Sequence, residues 1–197
     1  PPYGSRGLID CDCLQRKCEQ SGKQRQQTQY GYGNRQFENT DSLFLKKRRV
    51  IDKGNTEVVA EYIKEMTGAD VFRIMPDKEY EKIQDYDELV ELTRIEHEND
   101  ERPTFNGKIN DIGKYDTIFI GSPIWWYTFP QVMYTFLDSY DLNGKTIIPF
   151  TTHEGSGLAD VVEVLRKYYP NATVAEGLAI RGRDAVKSKE KVVRWLE

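Results

Sequence analysis

The sequence predicts a doubly wound α/β domain, with helices on both faces of a parallel sheet. From Gly54 to the carboxyl end, amphipathic helical segments alternate with apolar runs, the pattern of parallel strands joined by crossover helices. One run, YDTIFIGSP, ends in a small-residue and proline turn and then exposes the adjacent Trp125, Trp126 and Tyr127. A buried strand that delivers flat rings to a ligand at its carboxyl end reads this way. With 197 residues, 38% hydrophobic and 30% charged, the chain has enough apolar side chains for one sizeable core.

Residues 1–48 stand outside the alternation. They hold seven Gln, many Arg, Tyr and Gly, and no sustained helical or strand period. Such a segment has too little apolar content to offset its ordering entropy. It is expected to be irregular, disordered or non-native, with the globular domain over 49–197. Asn55 or Thr56 then caps a first helix that places Val58, Val59, Tyr62, Ile63 and Met66 on one face and closes at Gly68. ADVFRIMP, 69–76, is a strand. The polar, acidic stretch 77–114 contains a helix around 85–98 and leads into YDTIFIGSP. Pro130 opens a helix with Val132, Met133, Phe136, Leu137 and Tyr140 inward, and Asn143-Gly144 turns the chain into the strand KTIIPFTTH. Residues 157–169 read as a helix, 172–180 as the last strand and 186–196 as the closing helix.

The net charge of −4 conceals a split, because residues 1–50 carry ten Lys or Arg against five Asp or Glu, leaving −9 on the other 147. An acidic body disfavours nonspecific nucleic-acid binding and suits steered encounters with basic partners, or simply solubility. No run approaches the roughly 18 apolar residues of a membrane helix, and no secretory leader is evident; a cytoplasmic protein is expected. The chain begins at Pro1 without a methionine, as a fragment or processed form would. Cys11, Cys13 and Cys18 have a C-x-C-x4-C spacing that matches no familiar zinc or disulfide pattern, so incidental thiols are expected. Ser156 lacks a G-x-S-x-G elbow, and no Walker motif or dinucleotide fingerprint is present. Asp85, Asp87, Glu88 and Glu91 read as a solvated helix face, not a metal site.

YDTIFIGSPIWWYTFP, followed by PQVMYTFLDSYDLNGKTIIPFTTHEGSGLAD, resembles the flavodoxin family, in particular its members with a PIWW loop and a THxGSG loop. The resemblance covers about residues 54–197. It implies three α/β/α layers, strand order 2-1-3-4-5, noncovalently held FMN, and electron transfer between a reductase and an acceptor protein. It also implies a site. Gly54, Asn55 and Thr56 would meet the phosphate, since unpaired amides and the helix dipole favour an anion. Pro123, Ile124, Trp125, Trp126 and Tyr127 would line the ring, where stacking is worth about 1–3 kcal/mol per aromatic. Thr151, Thr152, His153, Glu154, Gly155, Ser156 and Gly157 would present backbone groups to the pyrimidine edge, the glycines allowing close approach. His153 is a candidate charge partner for a reduced, anionic flavin. Glu154 stands where the resemblance implies glycine, and a carboxylate near the ring would lower the potential. No catalytic residue and no metal ligand is assigned. Two alternatives remain: an FMN-dependent NAD(P)H quinone or nitro-compound reductase, and a relic that binds no flavin.

The first strand departs from the family. A hydroxyl-rich turn of the type (S/T)-x-T-G-N-T should follow it, and here Ile51 replaces a hydroxyl and Lys53 a threonine. Lys46, Lys47, Arg48 and Arg49 precede that turn, where the most buried strand is expected and an unpaired charge costs several kcal/mol. Either 42–45 or Val50-Ile51 supplies a shortened strand, or an altered reading frame or faulty gene model has replaced the native amino terminus before residue 50. The first strand is therefore expected to be atypical or disrupted.

Overall fold

The strand at the centre of the sheet comes from the segment expected to be irregular. In the computed structural model, which describes residues 4–11, 53–83 and 85–197, β1 (Arg6–Cys11) pairs in parallel with β2 (Asp70–Pro76) on one side and β4 (Thr117–Pro123) on the other. For Arg6–Cys11 this corrects the expectation of an irregular segment; residues 12–48 lie outside the described residues. The candidate strands at 42–45 and 50–51, the cluster Lys46–Arg49 and the boundary at 48/49 lie outside the described residues.

RGLIDC has little strand signal of its own, yet both its edges are paired and both its faces covered. Leu8 joins one hydrophobic cluster and Ile9 the other, as the alternation of a strand requires. Tertiary pairing overrides weak local propensity here. Asp10 is wholly buried, with Oδ2 3.5 Å from Arg73 Nε of the neighbouring β2. Cys11 is disulfide-bonded, which corrects the incidental-thiol reading at this position; its partner, Cys13 and Cys18 fall outside the described residues.

The sheet order is β3-β2-β1-β4-β5-β6, where β3 is Phe105–Asn106, β5 Thr146–His153 and β6 Thr173–Val174; β7 (Leu178–Arg181) also pairs with β5. Taking β4, β5 and the β6/β7 pair as the third to fifth strands, this is the expected order 2-1-3-4-5. Two features were not anticipated. β3 adds a short antiparallel edge beside β2. The last strand is split, β6 pairing with Thr146–Ile147 and β7 with Phe150–His153. Between those stretches β5 carries Pro149, which has no N–H to donate to the ladder.

α1 (Asn55–Thr67) and α5 (Lys189–Leu196) cover one face, packing Val59, Ala60, Ile63 and Val192 on Leu8, Phe119 and Phe150. On the other face α3 (Gln131–Ser139) and α4 (Val161–Tyr168) pack Val132, Met133, Phe136, Val161 and Leu165 on Ile9, Ile118 and Ile120. α1 closes at Gly68 with φ 69°, a left-handed cap that glycine adopts without strain. Met66, expected inward, is 47% exposed. α4 starts at Val161, later than expected, because Ala159 has φ 44° and cannot continue a right-handed helix. The closing helix begins at Lys189, after a 3-10 segment Gly182–Lys187 that leaves Val186 exposed. α2 (Tyr86–Glu98) opens on Asp85, whose carboxylate accepts from the amides of Asp87 and Glu88. Among the described residues no helix is long and apolar enough to cross a membrane.

Candidate functional site

The carboxyl ends of β1, β4 and β5 open at one end of the sheet, where three loops are tied together by specific bonds. Thr56, in the first turn of α1, shares a 2.6 Å hydrogen bond with the hydroxyl of Thr152 at the end of β5. Ile124 donates its amide to the carbonyl of Thr152 at 3.1 Å, which joins the loop after β4 to the same point. Tyr127 accepts from the amide of Asp160 at 3.2 Å, which fixes that loop to the segment before α4. The three groups of residues singled out in the sequence, 54–56, 123–127 and 151–157, thus meet at one place.

The loop after β4 is a tight reversal. Trp125 and Thr128 exchange both backbone hydrogen bonds, at 3.0 and 2.9 Å, around Trp126 with φ 51° and Tyr127 with φ 62°. Two positive φ values mark a type I′ turn, whose usual occupants are Asn and Gly. Each non-glycine residue there costs about 1–2 kcal/mol. The turn sends its three rings in different directions. Trp125 meets the buried Tyr80 edge-on at 5.8 Å, Trp126 donates its Nε1 proton to Thr93 Oγ1 at 3.2 Å, and Tyr127 stands 74% exposed. Strain held where an aromatic ring faces solvent is a mark of a binding surface.

The loop after β5 folds back on itself. Thr151 donates its hydroxyl to the carbonyl of Gly157 at 2.9 Å, and Gly155 donates its amide to His153 Nδ1 at 2.9 Å. The neutral His153 ring therefore carries its proton on Nε2. Burial, then the charges of Arg181 and Lys191, hold His153 below its ordinary 6.5. It is the neutral imidazole, not a cation, that this loop favours. Gly182 lies against the same place, since a Cβ there would sit 2.6 Å from both Asn55 Nδ2 and Glu154 Oε1. A side chain at 182 would displace the ends of the Asn55 and Glu154 side chains, which places Gly182 between the first helical turn and the β5 loop.

The phosphate end is less simply written. α1 begins with Gly54 as its N-cap, a residue with no side chain to offer the first-turn amides. Lys53 is turned away from the helix end, its Nζ 2.5 Å from Glu61 Oε1. Beneath the turn, Arg73 bridges two carboxylates, 3.0 Å from Glu57 and 3.5 Å from the buried Asp10. With Arg73 facing two carboxylates, the helix terminus is a positive feature among the described residues that an anion could meet. The residues of this end of the sheet fit a flat heterocycle with an anionic tail: exposed and half-buried rings on one loop and a helix N-terminus.

A model of the flavodoxin family, described as Flavodoxin, matches residues 50–197. The chain belongs to the flavodoxin family. Among solved structures, a protein of Bacteroides eggerthii described as a flavoprotein is 32% identical, with TM-score 0.63 over 73% of this chain and 89% of its own. One of Bacteroides uniformis is 23% identical with TM-score 0.69 over 98% of both chains. A Lactobacillus acidophilus flavoprotein solved in complex with FMN is 20% identical with TM-score 0.54 over 72% of this chain and 91% of its own; at that identity the likeness concerns the fold. A search of curated proteins finds no match.

The family motifs point to the three loops and not to what stands behind them. Tyr80, Thr93, Glu96, Arg73 and Gly182 carry no motif. A signal was available for one pair: Thr93 and Glu96 are spaced i, i+3 on a helix with few apolar residues, so they share a face.

Proposed function

We propose that this flavodoxin-family chain holds FMN noncovalently at the carboxyl ends of β1, β4 and β5 and carries electrons between a reductase and an acceptor protein. The observation that carries the reading is the convergence of the α1 N-terminus, the strained Trp126-Tyr127 turn and the 151–157 loop, tied through Thr152 to Thr56 and Ile124. That a same-fold Lactobacillus protein was solved with FMN supports it.

FMN, when bound, supplies the reversible storage of electrons. The chain's own residues bind and orient. Gly54, Asn55 and Thr56 meet the phosphate with first-turn amides, and Arg73 offsets part of the negative charge of Asp10 and Glu57 below. Pro123, Ile124, Trp125, Trp126 and Tyr127 flank the ring and exclude water from one side. The backbone of Thr151–Gly157 faces the pyrimidine edge. His153, neutral there, offers a hydrogen-bond donor at Nε2 without adding a charge.

The test is a visible absorption spectrum from about 300 to 700 nm, recorded before and after mixing with FMN and desalting. Retained bands of oxidised flavin are expected. A colourless protein after desalting overturns the reading. The loaded protein should be reduced through a partner reductase and not by NAD(P)H alone; rapid NAD(P)H oxidation by the pure protein would replace the carrier with an enzyme.

A further inference from the structure

α2 buries only two residues, Thr93 and Glu96, and both are polar. A surface helix usually turns apolar side chains inward, so this face needs another explanation. Both residues act on the aromatic loop. Glu96, 1% exposed, accepts from the Tyr80 hydroxyl with both carboxylate oxygens, at 3.1 and 3.0 Å, and from Lys78 Nζ at 2.6 Å. Tyr80, itself 3% exposed, sets its ring perpendicular to Trp125. One turn earlier on the same helix, Thr93 receives the indole proton of Trp126 and donates to the carbonyl of Val90. The helix is anchored in turn to α3, because Gln131 donates its side-chain amide to the carbonyl of Glu96 at 3.0 Å.

The backbone bonds between Trp125 and Thr128 close the turn but do not direct its rings. A type I′ turn with other side chains makes the same two bonds. Each indole has a contact that leads back to α2, Trp125 through the Tyr80 phenol and the Glu96 carboxylate, Trp126 through the Thr93 hydroxyl, while Trp125 also packs against the main core cluster.

We propose that Glu96, acting through Tyr80, is a positioning residue for the flavin ring: with Thr93 it forms a polar clamp on α2 that aims Trp125 and Trp126. The inference rests on the function proposed above. Glu96 sits behind the loop and reaches it through Tyr80, whose ring meets Trp125 edge-on. A bidentate carboxylate holds the Tyr80 hydroxyl in one position, and edge contact transmits that position to Trp125. An apolar residue at 96 would fill the space without specifying an angle.

The experiment uses the full chain with 5-fluorotryptophan in place of its three tryptophans, read by fluorine NMR without FMN and then titrated with FMN. Glu96→Gln keeps the shape and removes the carboxylate; Tyr80→Phe keeps the ring and removes the hydroxyl, so it remains informative if the first variant folds poorly. Both should displace the Trp125 resonance in the flavin-free protein and leave that of Trp195, on α5, in place. Both should weaken FMN by about tenfold, the loss of one well-oriented stacking ring, and shift the visible bands of the bound flavin. Thr93→Val should move the Trp126 resonance instead. A Trp125 resonance that stays put in both variants, or one that moves while FMN affinity and flavin bands are unchanged, overturns the clamp and leaves the proposed function standing. Wild-type protein that retains no FMN overturns both.

Discussion

Replacing Tyr127 by glycine separates a ring kept for a ligand from a ring kept for packing. Tyr127 is 74% exposed and has φ 62°. About a quarter of the side chain is covered, which is about 50 Å² of the ~200 Å² a tyrosine buries when enclosed, or about 1.3 kcal/mol. Against that loss stands relief of the left-handed backbone, about 1–2 kcal/mol for a non-glycine residue. The carbonyl that accepts from Asp160 is retained in the variant. The two effects nearly cancel, so Tyr127→Gly should leave the urea unfolding free energy within about 1 kcal/mol of wild type. FMN affinity, followed by quenching of flavin fluorescence during titration, should fall about tenfold because one stacking surface is gone. A variant destabilised by more than about 2 kcal/mol would show that the ring is structural. Unchanged FMN affinity at unchanged stability would remove Tyr127 from the ring wall.

Three further perturbations test other parts of the structure. Gly121→Ala would put a Cβ 2.0 Å from the Phe150 ring in the centre of the sheet; a loss of at least about 1–3 kcal/mol in thermal or urea unfolding is expected from overpacking, and a neutral result would contradict the β4–β5 register. Asp85→Ala removes the cap that accepts from Asp87 and Glu88 at 2.7 and 3.2 Å; about 1 kcal/mol is expected, with amide exchange quickened in the first turn of α2. An NMR titration of His153 should give a midpoint below 6.5, because burial comes first and Arg181 and Lys191 add to it. The unfolded chain then binds more protons than the native one just below 6.5, so stability rises with pH through that window and is flat above it. Arg181→Gln should raise the midpoint, and a wild-type midpoint above 6.5 would refute the arrangement.

How legible each part was follows from what kind of interaction fixes it. α1, β2, α2, β4, α3 and β5 were readable because each writes its own period or apolar run; the burial follows that text closely in β4, α3 and β5, but not in α2, which buries only Thr93 and Glu96, nor in β2, where Val71 and Met75 are exposed. β1 was not readable. Its residues Arg6, Gly7 and Asp10 deny it an apolar run, and it is a strand through pairing on both edges, with Leu8 and Ile9 serving opposite faces. The split of the last strand was hidden for a related reason: the interruption is caused by Pro149, on the neighbouring strand and far away in sequence.

The candidate site divides along the same line. The loops at 54–56, 123–127 and 151–157, which the structure brings together, could be picked out because their Trp, Tyr, Pro and Gly form a distinctive local text. The turn geometry could not, since Trp126 and Tyr127 are poor residues for positive φ and nothing local asks for it. The side chains behind the loop left still less trace. Glu96 reads as one more acid on an acidic helix, and it differs from Glu91, five residues earlier, only by what the fold sets against it: Glu91 is exposed beside Arg94, whereas Glu96 is buried beneath Tyr80. A buried carboxylate without a partner costs several kcal/mol, so its place in the molecule is stable only while Tyr80 and Lys78 answer it. The same bonds that make Glu96 tolerable are the ones that orient Trp125, and a sequence change at any of the three residues should therefore be felt at the ring wall.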